Sequence, residues 1–331
     1  MSRIIAGMGS SHALALMPFD EWENRRQITR KNYEHRYGAV PPERPEIAGE
    51  TVESNRERYA RLQGMLQHLR QRIVELQPDT IVLIGDDQDE NFREDNLPQL
   101  AIYTGAEAQI GAAHPNGPRI PGAVAETMTY PCDAALARFI LEQAVEAGFD
   151  LASSTRLRDN RLWSHAHVQV LSYMGLLANP VPIVPIFVNA IHVPAPTAAR
   201  CYAFGESLRR AIEAEPSDKR VLVYASGGLS HYTAGFPWPN YHGPATLGYV
   251  DVDFDQRVVD WMRQGQGSQV RTLSSADVLN SGNIEMRQWF VLMGVLGDGA
   301  PPDQLVYEPF FRGIMGMAAG CWELERQPAR V

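Results

Sequence analysis

Four short apolar runs, rich in valine and isoleucine, are bounded by glycine, proline or polar residues, a pattern typical of buried strands. They begin at Arg3 (RIIAGM), Thr80 (TIVLIG), Pro182 (PIVPIFVNA) and Arg220 (RVLVYASGG). Helical patterns occupy residues 53–76 and the segments AARCYAFGESLRRAIEA and SGNIEMRQWFVLMGVLG. This alternation predicts one large α/β domain over residues 1–331, with a central, largely parallel or mixed sheet covered by helices on both faces.

Two segments between these elements are long, polar or proline-rich, and contain several aromatic residues. They are residues 17–50 and residues 233–250, the second reading TAGFPWPNYHGPATLGYV. Loops of this length in a compact domain usually cover a functional site. We therefore expect both segments to be loops at the mouth of a binding site.

Composition narrows the class of ligand. The 331 residues include 30 basic and 39 acidic side chains, a formal net charge of −9, which argues against nucleic acid or anionic lipid as a partner. The three cysteines are far apart, so neither a disulfide framework nor a thiolate zinc site is indicated. No secretion signal and no bilayer-spanning apolar run is recognisable. We expect a cytoplasmic protein, with no membrane association, that binds a small molecule.

A polar group follows each of the four predicted strands. These groups are His12, then Asp86 with Asp87 and Gln88, then His192, and finally Ser230 with His231. In open α/β sheets, ligands bind in the crevice beyond the carboxyl ends of the strands. The sequence therefore predicts that these side chains meet at one place.

Glu285 and the pair His165 and His167 are further candidates for this site. Glu285 stands at the start of the last helical pattern, and the two histidines lie in LWSHAHVQVL. Two histidines and a carboxylate from distant elements suit a non-haem Fe(II) ion. His165 and His167 would share a face in a strand but diverge in a helix, so we expect one of them to be structural.

Ordinary structural roles compete at several of these positions. His12 could cap a following helix, Glu285 could interact with the dipole of its helix, and Asp86 and Asp87 could be capping acids at a strand-to-helix turn. For Asp89 and Glu90, we expect solvation rather than function.

The order of these motifs resembles the class III extradiol ring-cleavage dioxygenases, the family of protocatechuate 4,5-dioxygenase catalytic subunits and of gallate and methylgallate dioxygenases. The resemblance covers nearly the whole chain. It is carried in order by GMGSSHAL, VLIGDDQDENF, the HAH segment, VPIVPIFVNAIHVPAPTAARCYAFGESLRRAI, SGGLSH, DVDFDQRVVDWM and SGNIEMRQWFVLMG.

The resemblance implies a role for four residues. His12 and Glu285 match the first iron-binding histidine and the iron-binding glutamate of the family. His231 matches the active-site acid/base histidine, and His165 matches a histidine that lines the substrate pocket. His192, His167, Ser230 and Trp238 are candidates for contact with the substrate, Trp238 because a flat aromatic ring could be gripped on its proline-stiffened loop.

The second iron-binding histidine of the family is replaced here by Gln88. Three interpretations are open. The Gln88 carbonyl oxygen could be a weak ligand for Fe(II), or a neighbour such as Asp87 or His167 could complete the metal site while Gln88 holds a hydrogen bond. In the third interpretation, the iron is lost and the pocket serves another reaction.

The resemblance implies an Fe(II)-dependent enzyme that opens the ring of a catechol-type acid, of the protocatechuate, gallate or methylgallate class, with O2. His231 would exchange the phenol proton, because imidazole titrates near neutral pH. The alternatives are a metal-dependent or metal-free hydrolase or lyase on the same scaffold, and a non-enzymatic binding protein. The resemblance also implies a homodimer, and some members of the family need a small helical companion subunit.

Overall fold

All four predicted strands are present in the computed structural model, which describes residues 1–12, 18–40, 43–110, 128–157, 163–231 and 249–325. The described residues form ten strands: β1 (Arg3–Ser10), β2 (Thr80–Gly85), β3 (Leu100–Tyr103), β4 (Glu107–Ile110), β5 (Met128–Pro131), β6 (Ala152–Ser154), β7 (Ile183–Val188), β8 (Arg220–Ser226), β9 (Gln304–Phe310) and β10 (Met315–Glu323).

The same residues form eight α-helices: α1 (Trp22–Tyr37), α2 (Val52–Leu76), α3 (Ala134–Glu146), α4 (His165–Tyr173), α5 (Ala198–Ala214), α6 (Val252–Arg263), α7 (Ser275–Asn280) and α8 (Met286–Leu296). Short 3-10 helices occupy Phe19–Glu21, Pro45–Gly49 and Gly267–Thr272. The three helical patterns of the sequence correspond to α2, α5 and α8.

Eight of the strands form one mixed sheet in the order β6-β3-β7-β2-β8-β1-β10-β9. The four predicted strands are its parallel centre, β7-β2-β8-β1. Strand β3 runs antiparallel to β7, and β10 runs antiparallel to β1. Strands β2 and β7 are buried along their whole length, which explains their continuous apolar sequences. The predicted α/β fold class is confirmed.

Alternate residues of β2 pack into different apolar layers on the two faces of the sheet. Ile81 and Leu83 belong to a core cluster with residues of α2 and α4, whereas Val82 and Ile84 belong to one with residues of α3, α5 and α8. Every residue of α8 is buried, and most of its apolar side chains belong to this second layer.

The structure tests the expected loop in only one of the two long segments. Residues 17–50 contain α1 and two 3-10 helices, so the expectation of a loop is wrong there. Trp22 is the reason: it is buried and packs edge-on against Phe310, with ring centroids 4.7 Å apart, which anchors α1 to the sheet. Residues 232–248, with Trp238, lie outside the described residues.

None of the helices in the described ranges combines the length and the apolar character needed to cross a bilayer.

Candidate metal centre and its surroundings

The carboxyl ends of three central strands and the first turns of two helices meet at one buried cluster. His12 follows β1, Asp86 and Gln88 follow β2, and His231 follows β8. Glu285 is the N-cap residue of α8, and His165 is the first residue of α4. The predicted meeting of chemistry at the strand ends is therefore observed for these residues.

His12, Asp86 and Glu285 form the centre of this cluster. One ligand atom from each lies within 4.8 Å of the others, and all three side chains are buried. The Nε2 atom of His12 is 3.8 Å from Oε2 of Glu285. Two residues remote in the chain thus face a common point, together with a second carboxylate.

The hydrogen bonds of His12 fix its tautomer. The Ser226 hydroxyl donates its single proton to the Ala166 carbonyl (2.6 Å), so it accepts from Nδ1 of His12 (3.0 Å). The proton of His12 is therefore on Nδ1, and the lone pair of Nε2 faces the cluster, where it has no hydrogen-bond partner among the described residues. Burial lowers the pKa of His12 to about 4 and keeps the ring neutral. A neutral imidazole oriented through its other nitrogen is typical of metal-binding histidine.

Glu285 is held as a carboxylate by donors from three directions. Its Oε2 accepts from the Gly228 backbone N–H (2.7 Å). Its Oε1 accepts from Nε2 of Gln88 (2.9 Å) and faces Nε2 of His231 (3.2 Å). Burial alone would raise the pKa of Glu285, but His231, His12 and these donors hold it well below its usual range.

Asp86 is the least satisfied group in the cluster. Its Oδ2 accepts from Nε2 of Gln88 (3.0 Å), but its Oδ1 has no hydrogen-bond partner among the described residues. Burial and the nearby charge of Glu285 raise the pKa of Asp86 to about 8. A divalent cation would satisfy both this oxygen and the free lone pair of His12. One imidazole and two carboxylates therefore fit a metal ion, although not the two-histidine set that the resemblance implies.

Gln88 does not present its carbonyl oxygen to the two carboxylates. Its Nε2 donates to Asp86 (3.0 Å) and to Glu285 (2.9 Å), so the amide clamps both acids. Of the three interpretations, this geometry favours the one in which Gln88 holds a hydrogen bond and a neighbour completes the metal site. The carboxylate that lies beside His12 and Glu285 is that of Asp86, whereas the carboxylate of Asp87 bonds within its own turn and His167 bonds to the Ile186 carbonyl.

Asp87 points away from this centre and closes its own turn. Its carboxylate accepts from the backbone N–H groups of Asn91 (3.0 Å) and Phe92 (3.0 Å), and from the side-chain amide of Asn91 (2.8 Å). It holds this turn together, but the expectation that Asp86 and Asp87 cap a helix is wrong, because β2 is followed by an irregular turn and then by β3. The sequence predicts Gln88 or Asp87, rather than Asp86, as a ligand beside His12 and Glu285.

The hydrogen bonds of His231 to the Leu229 carbonyl and to the Glu285 carboxylate require a proton on each of its ring nitrogens. The Leu229 carbonyl can only accept, so Nδ1 of His231 donates to it (2.6 Å). Nε2 then needs the second proton to bond to the Glu285 carboxylate (3.2 Å). Burial opposes this charge, but the charge of Glu285 outweighs it and raises the pKa of His231.

His165 is a second, partly buried cation next to His12. Its ring lies edge-on to the His12 ring, with centroids 4.9 Å apart. Its Nδ1 and its backbone N–H both contact the carboxylate of Glu90. Burial would lower the pKa of His165, but Glu90 raises it to about 10. Glu90 is only 3% exposed, so the expectation that it is solvated is wrong: three donors, including the Gln88 N–H (2.6 Å), hold it inside.

The other predicted residues lie elsewhere. His167, one position beyond Ala166 in α4, diverges from His165 as expected for a helix: its Nε2 donates to the Ile186 carbonyl (3.1 Å), and its ring packs on Phe187. His192 contacts Asp89 (2.8 Å).

Ser230 bonds to Asp255 (2.7 Å). The contacts of Ser230, His167 and His192 are all to groups other than His12, Asp86 and Glu285.

A family model described as the catalytic LigB subunit of aromatic ring-opening dioxygenase matches residues 43–317. Because the match covers most of the sequence, the chain belongs to this family of ring-cleaving oxidoreductases, and the predicted resemblance is confirmed.

Curated relatives carry related names. A gallate dioxygenase from Pseudomonas putida KT2440 is 31% identical over 139 residues, which cover 41% of this chain and 38% of that protein. A 2,3-dihydroxyphenylpropionate/2,3-dihydroxicinnamic acid 1,2-dioxygenase from Klebsiella pneumoniae strain 342 is 29% identical over 168 residues, covering 51% and 48%. One from Pseudomonas putida is 33% identical over 162 residues, covering 49% and 46%. The chain thus spans less than half the length of each of these three relatives.

A crystal structure of an uncharacterized protein from Escherichia coli K12 aligns with 96% of this chain and 99% of its own, at 12% identity and a TM-score of 0.45. This likeness is too distant to inform the site.

Proposed function

We propose that this chain is the catalytic unit of an Fe(II)-dependent extradiol dioxygenase that opens the ring of a catechol-type aromatic acid with O2. Family membership supports the reaction class. The single observation that carries the metal site is the pair of unsatisfied buried atoms, Nε2 of His12 and Oδ1 of Asp86, next to the Glu285 carboxylate. Protocatechuate, gallate and methylgallate are the substrate classes we propose, together with the 2,3-dihydroxyphenylpropionate named for the relatives.

His12, Asp86 and Glu285 would hold the metal ion. A ferrous ion, when bound, would supply the electron exchange with dioxygen that amino-acid side chains cannot provide. Gln88 would keep the two carboxylates in place by donating to both. Two carboxylates in the set make the site harder than one with two imidazoles, so Mn(II) is a competing occupant to be tested against Fe(II).

His231 would move the substrate proton. Its raised pKa depends on the full charge of Glu285. When Glu285 shares that charge with a cation, His231 loses the main cause of its raised pKa, and its Nε2 can take a proton from a phenol. The same nitrogen can later return this proton to the opened product.

His165 would stabilise the negative charge that develops on the substrate. Its imidazolium is held by Glu90 and lies against the ring of His12. A fixed cation inside a buried site interacts strongly with an ionised oxygen because little water screens it.

Oxygen uptake tests this proposal. The chain, reconstituted anaerobically with Fe(II), is mixed with aerated buffer and each of the four substrates, and oxygen consumption is followed together with the absorbance of a ring-opened product. We expect uptake with at least one substrate, and loss of uptake in His231→Ala. No uptake across the panel with iron bound would contradict the proposal.

Metal analysis distinguishes the dioxygenase from the second candidate function, a hydrolase or lyase. A purified chain that holds zinc, and shows no oxygen uptake after iron loading, would favour a hydrolase or lyase on the same scaffold. The observation that motivates this candidate is the replacement of the second family histidine by Gln88. The proposed homodimer is tested by light scattering on the purified chain, and a companion subunit by whether the chain alone is active.

A further inference from the structure

The carboxylate of Asp255 joins the two loops that carry His231 and Glu285. Asp255 lies in α6 and is fully buried, at 0% exposure. Its Oδ1 accepts from the Ser230 backbone N–H (3.2 Å) and the Asn283 amide (2.9 Å). Its Oδ2 accepts from the hydroxyl groups of Ser230 (2.7 Å) and Tyr307 (2.7 Å).

Three of these four donors lie on the loops that carry His231 and Glu285, whereas the fourth, Tyr307, lies on β9 at the edge of the sheet. Ser230 directly precedes His231, and Asn283 lies two residues before Glu285. A further bond, from the His231 N–H to the Gly282 carbonyl (3.1 Å), joins the same two loops. Together these contacts fix how His231 meets Glu285, whose facing atoms are 3.2 Å apart.

The position requires a carboxylate. The Ser230 hydroxyl already accepts from the Asp251 N–H (2.9 Å), so its own proton goes to Asp255. With two donors on each oxygen, an amide would turn its NH2 group toward other donors. The backbone also leaves no spare room, because a Cβ atom on Gly316 would lie 2.3 Å from Oδ2 of Asp255.

We propose that Asp255 is a positioning residue of the metal centre. By bonding to Ser230 and Asn283, it sets the separation between His231 and Glu285, and through Glu285 it sets the affinity for the metal ion. This inference rests on the proposed metal site, but it does not depend on which reaction the site performs.

Two single substitutions provide a matched comparison. Asn283→Ala and Tyr307→Phe each remove one donor to Asp255 and leave three, but only Asn283 lies on a loop of the site. Asp255→Asn disturbs the hydrogen bonds to the two loops of the site and the hydrogen bond to Tyr307. Binding of Mn(II) alone to each full chain is measured by isothermal titration calorimetry, and folding is checked by urea unfolding.

We expect Asn283→Ala and Asp255→Asn to raise the Kd for Mn(II) by about tenfold, the lower range for residues that support metal ligands. We expect Tyr307→Phe to change this Kd by less than about twofold, although it loses a comparable hydrogen bond. In a working enzyme, kcat should fall in the first two variants while KM for the aromatic substrate changes little.

Equal weakening in Asn283→Ala and Tyr307→Phe, or none in either, would show that Asp255 only stabilises the fold and would overturn the inference. If Asp255→Asn does not fold, the comparison of Asn283→Ala with Tyr307→Phe tests the inference by itself. A wild-type chain that binds no Mn(II) would overturn the inference together with the metal site. Mn(II) binding without oxygen uptake would contradict only the proposed reaction.

Discussion

Asp86 and Asp87 are adjacent buried acids with different contacts, so substituting each by asparagine tests the proposed metal centre. Asp86→Asn removes one of two negative charges from the proposed ligand set while keeping the volume of the side chain. Asp87→Asn changes an acid whose contacts are all to its own turn. If Asp86 is a ligand, only the first substitution should weaken metal binding strongly.

The expected loss can be scaled from known effects. Residues that merely support a metal ligand change affinity by about 10–100-fold, so loss of a ligand charge should cost at least about a hundredfold, or about 2.7 kcal/mol. Asp86→Asn should have the opposite effect on the metal-free chain. Burial raises the pKa of Asp86 to about 8, so Asp86 must take up a proton when the chain folds at pH 7. Asparagine does not carry the free-energy cost of this protonation, so the substitution should raise the free energy of unfolding by at most about 4 kcal/mol.

Titration calorimetry with Mn(II) and urea unfolding of the metal-free chain at pH 7 measure the two effects. Asp87→Asn is the control, and it should keep its Mn(II) affinity within about threefold, because its turn retains an oxygen acceptor for the Asn91 and Phe92 N–H groups. The reasoning would be refuted if Asp86→Asn bound Mn(II) as tightly as the wild type, or if Asp87→Asn lost as much affinity as Asp86→Asn.

Three further predictions concern the groups around the metal centre. Gln88→Leu removes the amide that clamps both carboxylates and should raise the Kd for Mn(II) about tenfold; an unchanged Kd would show that the clamp is dispensable. Ser226→Ala removes the acceptor for Nδ1 of His12 and should also cost about tenfold, whereas full affinity would contradict the assigned tautomer. Burial raises the pKa of Asp255 to about 6, above its value in the unfolded chain. As the pH rises from 4 to 7, the free energy of unfolding of the wild type should therefore fall by up to about 3 kcal/mol relative to that of Asp255→Asn. A stability of the wild type that stays constant or rises relative to the variant over this range would contradict the prediction.

The sheet and the meeting of His12 with Glu285 could be predicted because each depends on a strong pattern. Continuous apolar runs identify strands that are buried on both faces, and parallel strands bring their carboxyl ends to one edge. The divergence of His165 and His167 likewise follows from helical geometry once α4 is known.

The choice between Asp86 and Asp87 could not be predicted, because both acids follow β2 in one irregular turn. Which side chain faces inward depends on the backbone path, in which Asp89 has a positive φ of 66°. The direction of the Gln88 amide is equally a matter of three-dimensional contacts.

Glu90 and α1 show the limits of composition as a guide. A run of acids usually indicates a solvated turn, yet Glu90 is buried because two sources supply hydrogen-bond donors to its carboxylate. One is the Gln88 N–H in the same turn, and the other is His165, which lies far away in the sequence. Residues 22–37 are mostly polar, and the burial of Trp22 against Phe310 is a tertiary contact that no local pattern reveals.

A crystal structure of the chain grown anaerobically with Fe(II), with anomalous diffraction recorded at the iron edge, tests the central claim most directly. The account predicts one strong anomalous peak, which marks an iron ion within coordination distance of Nε2 of His12 and of carboxylate oxygens of Asp86 and Glu285. The Gln88 side-chain nitrogen should face the two acids. A peak bonded to the Gln88 carbonyl oxygen but not to Asp86, or a peak remote from His12, would contradict it.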